Sequence, residues 1–466
     1  MPKKTIFIPI ASTAAFRNLF YYPESVFDIL KRSSPDIFIV ILLLYREYDK
    51  YKNCFGEGLG SRYAVEPIMV SPPATFIQKL FHFFYSYLLY TRTTMVLATM
   101  GTRPGEPPAG GRRFLIPLKL LISYTLGKST FVRLTIIPWL FQKVFIDRPF
   151  RDVFDRYYPS LVFSSHVYGW FDIMLLSEAK RRSIKTVGMS AGWDHLDKYF
   201  LPFHADRFLA QSNEMVHSAI KYQNYRKDAI AIVGYPHFDY MIKRSYEMPR
   251  VELLRELNMP MDARYILYVS GTDYCPDEPD VIETMLQWID KGAFAGTIYI
   301  VLRPYPGGAQ RGKEYDRERF ARLAQHPRIR FCQQKTWADL AETDFFLNVI
   351  LHAHMVMQVY TTVALEVTAL DKPILSALFD GYRTLPFRES IRRFEQFEHF
   401  QDVIKTGALA QARSFDELKT LLNIFFTDLN YLRKERAHMK KDLCGPLDGK
   451  VGERIVREIS EMLLHS

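Results

Sequence analysis

One stretch of the sequence, residues 357–381, combines residue types that could bind a phosphate group next to a sugar hydroxyl. An apolar run ends at Val359, the hydroxyl pair Thr361 and Thr362 follows, and Glu366 lies about one helical turn further on. Hydroxyl and backbone N–H groups at the start of a helix stabilise an anion, because the helix dipole and the unpaired donors favour negative charge there. The pattern predicts a phosphate and ribose site, and the alternative is an ordinary threonine cap with a solvated glutamate.

Two other apolar runs end in groups that could contact the same anion. Arg303 follows the run 297–302, and Gly271 and Thr272 follow the run 265–270. In an open α/β sheet, ligands bind outside the carboxyl ends of the strands, so these residues are expected at one sheet edge. Arg303 would supply a cation, with pairing to a surface acid as the alternative. Gly271 and Thr272 would offer backbone N–H groups, or would form a plain turn.

The elements that must position these residues are short apolar runs alternating with helical patterns. Such alternation is typical of parallel βαβ units and a doubly wound sheet. We predict a first domain at 1–245, a hinge within 241–261, a second domain at 246–440, and a C-terminal helical segment, 441–466, that packs back across the cleft. Strands are predicted at 5–10, 37–44, 65–70, 159–165, 185–189, 207–211, 229–233, 265–270, 297–302, 329–332, 355–359 and 374–379.

The length of 466 residues and a hydrophobic content of 48% suffice for two or three domains with large cores. The four cysteines are scattered without CxxC spacing, which favours a reducing compartment and gives no metal signature. The apolar run near the N-terminus is too short for a signal peptide, so a cytosolic protein is expected.

The segment 76–146 carries most of the excess positive charge. It contains nine Lys and Arg residues but one acid, Glu106, and it is rich in Phe, Tyr, Leu and Ile. Basic residues interleaved with bulky apolar ones are what an anionic membrane surface selects. Nucleic acid is not expected as a partner, because the basic residues do not cluster on a polar face. We predict helices that lie on a bilayer, with a helical layer packed entirely on its own domain as the alternative.

Four motifs resemble one family of enzymes. The residues 302–306 (LRPYP), 348–381, 190–195 (SAGWDH) and 444–454 (CGPLDGKVGER) resemble motifs of the GT-B nucleotide-sugar glycosyltransferases. The match is to the branch similar to CDP-glycerol glycerophosphotransferases and capsule polysaccharide transferases. The resemblance covers roughly residue 152 to the C-terminus. It implies two Rossmann-like, doubly wound domains facing across a cleft, with extra helices in the first domain.

The resemblance also implies the chemistry. The donor would be a nucleotide-sugar or CDP-linked substrate, with no further cofactor and no metal, and Tyr305 would join the residues that bind its phosphates. Three departures stand out: Tyr305 replaces a frequent histidine, His195 replaces a usual asparagine, and residues 11–15 (ASTAA) replace a Gly-rich turn.

An inverting sugar transfer needs a base for the acceptor hydroxyl. Asp194 and His195 in the loop 192–195 are the leading candidates, with His166 at the preceding strand end next. Histidine suits the role by its ordinary pKa, and aspartate by its charge at physiological pH. Trp193, which could stack on a sugar, and Arg17 are assigned to the acceptor side. The alternative is that Asp194 caps a turn and Trp193 fills the domain interface.

The leading hypothesis is a glycosyltransferase that moves a sugar to a membrane-associated glycan or lipid acceptor. It would be cytoplasmic and attached peripherally to the inner face of the membrane through 76–146. The alternatives are a CDP-glycerol-type polyol-phosphate transferase, an isomerase like UDP-N-acetylglucosamine 2-epimerase, and a glycan-binding scaffold without catalysis.

Overall fold

The structure is a computed structural model that describes residues 4–55, 62–101, 113–271, 274–305, 319–332 and 339–464. Within these ranges the strands are β1 (Lys4–Ile10), β2 (Ile37–Leu44), β3 (Tyr63–Ile68), β4 (Leu161–Ser164), β5 (Lys185–Met189), β6 (Arg207–Ala210), β7 (Ile230–Ile232), β8 (Arg264–Val269), β9 (Ile298–Arg303), β10 (Ile329–Phe331), β11 (Met355–Gln358), β12 (Ile374–Ala377) and β13 (Leu409–Ala412).

The α-helices of the same ranges are α1 (Thr13–Phe16), α2 (Val26–Ser33), α3 (Tyr48–Tyr51), α4 (Phe76–Ser86), α5 (Arg92–Thr99), α6 (Ile116–Tyr124), α7 (Ile137–Val144), α8 (Arg151–Tyr157), α9 (Trp170–Arg181), α10 (Asn213–Gln223), α11 (Pro236–Lys243), α12 (Arg250–Glu256), α13 (Glu278–Asp290), α14 (Leu340–His352), α15 (Val363–Ala369), α16 (Glu398–Lys405), α17 (Phe415–Thr427), α18 (Arg433–Leu443) and α19 (Val451–Leu464).

The chain divides into two compact units. Unit 1 contains the N-terminal part of the chain up to Tyr240 and takes the chain back at Gly445, whereas unit 2 is formed mainly by 241–444. Each unit is built on one parallel sheet, as the alternation of strand and helix in the sequence predicts.

Unit 1 holds a seven-stranded sheet in the order β3-β2-β1-β4-β5-β6-β7, and every pairing is parallel. The strand order reverses between β1 and β4, where Ile6 pairs with Leu161. In such sheets the ligand crevice lies at this reversal, outside the carboxyl ends of the strands. The residues that follow β1 and β4 are therefore the candidates for contact with a ligand in unit 1.

The C-terminal helix α19 belongs to the core of unit 1. Val451, Ile455 and Ile459 are buried in the same apolar cluster as Val26 and Leu30 of α2. The chain re-enters the unit at Gly445, which has a φ of 68°, and a Cβ there would lie 2.0 Å from the carbonyl oxygen of Gln211. Only glycine fits both demands, which gives the glycine in the sequence CGPLDGK a structural reason.

The segment 76–146 is helical in its described parts, as predicted, and contributes α4 to α7. Helix α4 packs on α7, with the Phe81 and Phe141 rings 6.3 Å apart. No single helix within the described ranges is long and apolar enough to span a membrane. The helical stretches 113–128 and 132–144, bent by 94°, reach the length and composition of a span only together.

The basic residues of this segment are not all on the surface. Lys119 is buried with its Nζ 5.0 Å from the centre of the Tyr87 ring, and buried Arg133 donates to the Tyr222 carbonyl oxygen. The remaining described members are exposed: Lys79, Arg92, Arg113, Lys128 and Lys143. The charge count of the sequence therefore overstates the charge that this segment presents to its surroundings.

Unit 2 holds a six-stranded parallel sheet in the order β10-β9-β8-β11-β12-β13. Its strand order reverses between β8 and β11, where Gln358 pairs with Val269, and Arg303 on β9 pairs with the same Val269. The carboxyl ends of β8, β9 and β11 are thus adjacent. This confirms the expectation that Gly271, Arg303 and Thr361 lie at the carboxyl ends of strands on the same side of the sheet.

Every strand of the structure except β13 was expected from the sequence, with ends that differ by at most two residues. Strand β13 reads LAQA, and its short alanine-rich run lacks the β-branched residues that mark the others. It lies at the edge of its sheet, where pairing with β12 alone suffices.

Candidate active site

In unit 1, the ends of β1 and β4 bring Ser12 and His166 together. Ser12 follows β1, and its Oγ accepts the Ala15 N–H at 3.2 Å as the N-cap of α1. The same Oγ lies 3.2 Å from Nδ1 of His166, which follows β4. The serine comes from the stretch ASTAA, which the sequence analysis noted only as a departure from a Gly-rich turn.

His166 is held in an environment that opposes its protonation. Burial, with a smaller contribution from the nearby His195, lowers the pKa of its imidazole to about 3. The ring is therefore neutral near neutral pH and makes a weak base. A Cβ on Gly169 would lie 3.1 Å from its Nδ1, so the backbone also approaches this ring closely.

The second histidine lies beside a tyrosine and a carboxylate. His195 Nε2 is 3.2 Å from the Tyr168 hydroxyl and 3.6 Å from Asp194 Oδ1. Asp194 is buried and also forms an ion pair with Lys198. Burial works to lower the pKa of Lys198, but the carboxylates of Asp194 and Asp197 outweigh it and raise that pKa. The loop thus holds a charged Asp–Lys pair against an imidazole.

The aromatic rings around His195 form one contiguous cluster. The rings of Tyr168 and Tyr199 are parallel at 4.8 Å, and those of Tyr168 and His166 meet edge to face at 4.2 Å. Burial raises the pKa of the Tyr168 phenol well above its ordinary value, so that group stays protonated. The structure therefore gathers His166, Asp194 and His195, the three residues predicted to do chemistry, around one tyrosine.

Side chains from elsewhere in unit 1 hold the loop 190–197 in place. Asn18 Nδ2 donates to the Ala191 carbonyl oxygen at 3.4 Å, and Ser190 Oγ donates to the Gly192 carbonyl oxygen at 2.7 Å. The Thr91 hydroxyl donates to the Asp197 carbonyl oxygen at 2.7 Å.

The two residues assigned to the acceptor side lie in this unit as well. The Trp193 side chain is buried, so its ring is not presented to solvent for stacking. Arg17 is half-buried and lies in the helical turn that follows α1.

In unit 2, Arg303 is a buried cation at the sheet edge predicted to bind phosphate. Its side chain is 1% exposed, and its guanidinium carbon lies 4.5 Å from the centre of the Phe346 ring. Burial lowers the pKa of the guanidinium to about 10, while the charges of Cys332 and Glu366 act to raise it. Arg303 therefore remains a cation at neutral pH, and Glu366 is near enough to act on its charge.

Gly271 already has a partner for its backbone N–H. Both carboxylate oxygens of Glu278 accept that N–H, at 3.0 and 3.1 Å. Glu278 in turn pairs with Arg319 at 3.0 Å, and Arg319 also donates to the Gly271 carbonyl oxygen at 2.9 Å. The prediction that this N–H donates a hydrogen bond to a phosphate does not fit this arrangement, because the Glu278 carboxylate already accepts that N–H. The predicted role of Thr272 lies outside the described residues.

Glu278 and Arg319 are not among the site residues predicted from the sequence. No local signal links them, because the pair joins residues 41 positions apart. Ser270 belongs to the same network, since its Oγ accepts the Tyr305 N–H at 3.1 Å and lies 3.3 Å from Arg319. Tyr305 is thereby fixed at the edge by its backbone while its ring is exposed.

The stretch 357–381 forms the predicted strand, turn, helix and strand. The turn is tight, since Tyr360 has a left-handed φ of 38°. The Val363 N–H donates to Thr361 Oγ1 at 3.1 Å, and the exposed Thr362 precedes α15 without a side-chain cap. Glu366 lies half-buried in the first turn of α15. Thr361 thus accepts one N–H at the start of α15, whereas the N-cap residue Thr362 makes no side-chain cap.

A cluster for a metal ion is not found among the residues that the structure describes, since no three His, Cys, Asp or Glu side chains converge there. Each unit consequently has a candidate site of its own: the imidazole, tyrosine and Asp–Lys group in unit 1, and the Arg303 edge in unit 2.

Comparison with known proteins identifies the fold. No family profile and no curated protein matches the sequence. Among solved structures, the chain is similar to the UDP-GlcNAc 2-epimerase from Neisseria meningitidis bound to UDP-GlcNAc, with a TM-score of 0.56 at 10% identity over 99% of this chain and 100% of that one.

Two transferases have the same arrangement. The wall teichoic acid polymerase TagF gives a TM-score of 0.51 at 10% identity over 100% of this chain and 90% of that chain. A glycosyltransferase from Rickettsia africae gives 0.50 at 10% identity over the full length of both chains. These likenesses show the fold, which is the GT-B arrangement of two Rossmann-like parallel-sheet domains expected from the sequence.

Proposed function

We propose that the protein is a glycosyltransferase that moves a sugar from a nucleotide-sugar donor to a membrane-associated glycan or lipid acceptor. The observation that carries the proposal is the surface of the segment 76–146. Among the described residues, 13 of the 26 exposed large apolar side chains lie in this segment. An enzyme whose substrates are all soluble has no need for such a surface, whereas one with a lipid-borne acceptor does.

The donor is assigned to unit 2. Arg303 supplies a buried positive charge at the carboxyl ends of the strands, and Glu366 supplies a carboxylate in the first turn of the neighbouring helix. A cation neutralises the charge that develops on a departing nucleotide phosphate, and a carboxylate accepts from a ribose hydroxyl. The likeness to the Staphylococcus aureus MnaA structure solved with UDP supports a nucleotide at this kind of fold. The donor is a substrate, and the proposal calls for no cofactor and no metal.

The acceptor is assigned to unit 1, which carries the base candidates and the segment 76–146. The protein would be cytoplasmic and attached peripherally to the inner face of the membrane. Exposed Phe76, Leu121 and Phe131 would enter the apolar boundary of the bilayer, while exposed Lys79 and Lys128 would meet anionic headgroups.

Two other activities fit the same fold. An isomerase like UDP-N-acetylglucosamine 2-epimerase is favoured by the epimerases among the similar structures, whose TM-scores reach 0.56. A polyol-phosphate transferase with a CDP-linked donor is favoured by the likeness to TagF. Neither observation is specific, because both enzymes share only the fold with this chain.

Product analysis separates the three activities. The full chain is incubated with a panel of UDP-, GDP- and CDP-sugars and CDP-glycerol, with and without a membrane lipid extract. The proposed transferase releases nucleotide only when the extract is present and labels a lipid-soluble product. A new sugar nucleotide formed without any acceptor would identify an epimerase instead. Nucleotide release from CDP-glycerol, and from no other donor of the panel, would identify the polyol-phosphate transferase.

We expect Arg303→Met and Glu366→Ala each to weaken nucleotide binding by about 1–3 kcal/mol, because each removes a charged hydrogen-bonding group from the donor edge. Calorimetric titration with the nucleotide that the panel selects measures the loss. The matched control is Arg330→Met on the neighbouring strand β10, where the guanidinium donates to backbone carbonyl oxygens and not to the edge. Unchanged affinity in both site variants would refute the assignment of the donor to this edge.

Membrane attachment is tested on two exposed apolar pairs. Ile77 and Leu80 of α4, and Leu118 and Leu121 of α6, are each three residues apart and exposed. Changing all four to Ser should lower binding to anionic liposomes by about a hundredfold or more, because burying one aliphatic side chain fully contributes about 1.5–3 kcal/mol and a surface helix buries each of the four in part. Flotation at low and high salt measures the binding.

The control for flotation changes two equally exposed apolar residues of unit 2, Val251 and Met261, to Ser. High salt should weaken the binding of the unaltered protein, since the basic residues contribute through screened charge. A protein that ignores liposomes at both salt concentrations is not attached as proposed, and one that resists alkaline extraction would span the bilayer instead.

A further inference from the structure

A second concave site lies on the side of the unit 2 sheet where the strands begin, opposite the carboxyl ends that carry Arg303. Arg264 begins β8, His354 directly precedes β11, and Lys372 lies in the turn before β12. These are the amino ends of the strands, whereas Arg303 lies at a carboxyl end. The cavity has a volume of about 380 Å³. It is completed by the start of α12 and by the chain leading into α18, all within unit 2.

The lining of this cavity is strongly cationic. It contains five Lys and Arg residues and two histidines, but only one carboxylate. The charged and titratable members are Arg250, Arg264, His352, His354, Asp371, Lys372, Arg433 and Arg436. Asp371 pairs with the buried Arg436 at 3.3 Å. Within the described ranges, Arg250, Arg264, Lys372 and Arg433 form no ion pair with a carboxylate.

Most of the cations are held in place by backbone carbonyl oxygens. Arg250 donates to the Ala263 oxygen at 2.6 Å, Arg264 to the Phe426 oxygen at 3.3 Å, and Lys372 to the Ala353 oxygen at 3.4 Å. Arg436 donates to the Tyr431 oxygen at 2.6 Å. Such bonds fix the side chains without neutralising them, so the positive charge remains for a ligand.

An aromatic ring forms one wall behind these charges. The His354 ring stacks on Phe426 at 5.0 Å, and the Arg264 guanidinium carbon lies 5.2 Å from the centre of the same ring. Desolvation lowers the pKa of His354, and the charges of Arg264 and Lys372 lower it further. The cationic groups therefore repel one another in the absence of an anion, and a bound anion would relieve that repulsion.

We infer that this cavity is a second binding site, for a ligand that bears a phosphate or pyrophosphate group. Guanidinium groups match the geometry of phosphate oxygens and bind them in a bidentate fashion. The volume is of the size that holds a small phosphorylated molecule. The site lies at the amino ends of the strands, whereas Arg303 lies at a carboxyl end. It is therefore separate from the donor site of the proposed function and does not depend on it.

The test uses the full chain with inorganic pyrophosphate, inorganic phosphate and UDP as probes in calorimetric titrations. Lys372→Met and Arg433→Gln should each weaken pyrophosphate binding by about tenfold, the loss of one charged hydrogen bond. Lys434→Gln is the matched control, since it removes the same charge from the next residue of α18, which does not line the cavity. Thermal unfolding of each variant checks that the fold is kept.

A variant that should tighten binding, and not weaken it, makes the test stringent. Asp371→Asn removes the only carboxylate of the lining, and asparagine tolerates the left-handed φ of 54° at this position. Pyrophosphate binding should then tighten by about threefold or more, because the remaining charges are all positive.

The source of the phosphate group is settled by a further arm, in which vesicles containing phosphatidic acid replace the soluble probes. Vesicle binding that Arg433→Gln abolishes and Lys434→Gln keeps, measured in the variant with the four apolar residues of 76–146 changed to Ser, would assign the site to a lipid headgroup. Tighter binding of pyrophosphate than of vesicles, lost in Arg433→Gln and kept in Lys434→Gln, would assign it to a soluble ligand. Equal affinity of all four variants and the unaltered protein for every probe would overturn the inference.

Discussion

His195→Ala is expected to lower the turnover of sugar transfer by about 10²–10⁴-fold, the usual loss when a positioned base is removed. Nε2 of the imidazole is 3.2 Å from the Tyr168 hydroxyl and 3.6 Å from Asp194 Oδ1. A carboxylate near the ring stabilises the imidazolium that forms when the base takes a proton. Rates under saturating donor and acceptor measure the loss, and donor affinity should stay unchanged because the donor is assigned to unit 2.

Asp194 and His166 serve as comparisons for that result. Asp194 already pairs with Lys198, so we expect it to position the base and not to be the base. Asp194→Asn should therefore cost less turnover and should move the acid limb of the pH–rate profile to lower pH. His166→Ala should cost less than His195→Ala, because a pKa of about 3 makes His166 a weak base.

Full turnover of His195→Ala would contradict the assignment. A large loss in Asp194→Asn alone would make the carboxylate the base, and a large loss in His166→Ala alone would make that ring the base. Full turnover of all three variants would indicate a retaining mechanism that needs no such residue.

The strands and the sheet edges could be predicted because they depend on local patterns. Runs such as 37–44 are continuously apolar, and a strand buried on both faces needs such a run. The positions of Arg303 and Thr361 then follow from the rule that the carboxyl ends of parallel strands share an edge.

The contacts inside the site could not be predicted, because they join residues far apart in the chain. Ser12 meets His166 across 154 positions, and Arg319 meets Glu278 across 41. The burial of Lys119 has the same cause, since only tertiary packing places it over Tyr87. A sequence shows that a charge is present but not whether folding leaves it in solvent.

The buried pair of Glu278 and Arg319 is the clearest example of such a hidden contact. Their side chains are 2% and 4% exposed, and Arg319 also donates to the Cys275 carbonyl oxygen at 3.0 Å. Glu278 begins α13 and accepts the Gly271 N–H, so the pair joins the end of β8 to that helix. The pair thus fixes the edge of unit 2 that we assign to the donor.

Arg319→Met is expected to destabilise unit 2 by about 3–5 kcal/mol, because it leaves the Glu278 carboxylate buried without its partner. Hydrogen exchange of peptides covering β8 and β9 under increasing urea measures the opening free energy of this unit. The double variant Arg319→Met/Glu278→Gln should recover most of the loss, since it removes both charges and keeps a side-chain oxygen that can accept the Gly271 N–H. Lys405→Ala, which breaks an exposed pair with Asp402, is the control and should cost less than about 1 kcal/mol. A double variant as unstable as Arg319→Met would show that packing, and not the stranded carboxylate, causes the loss.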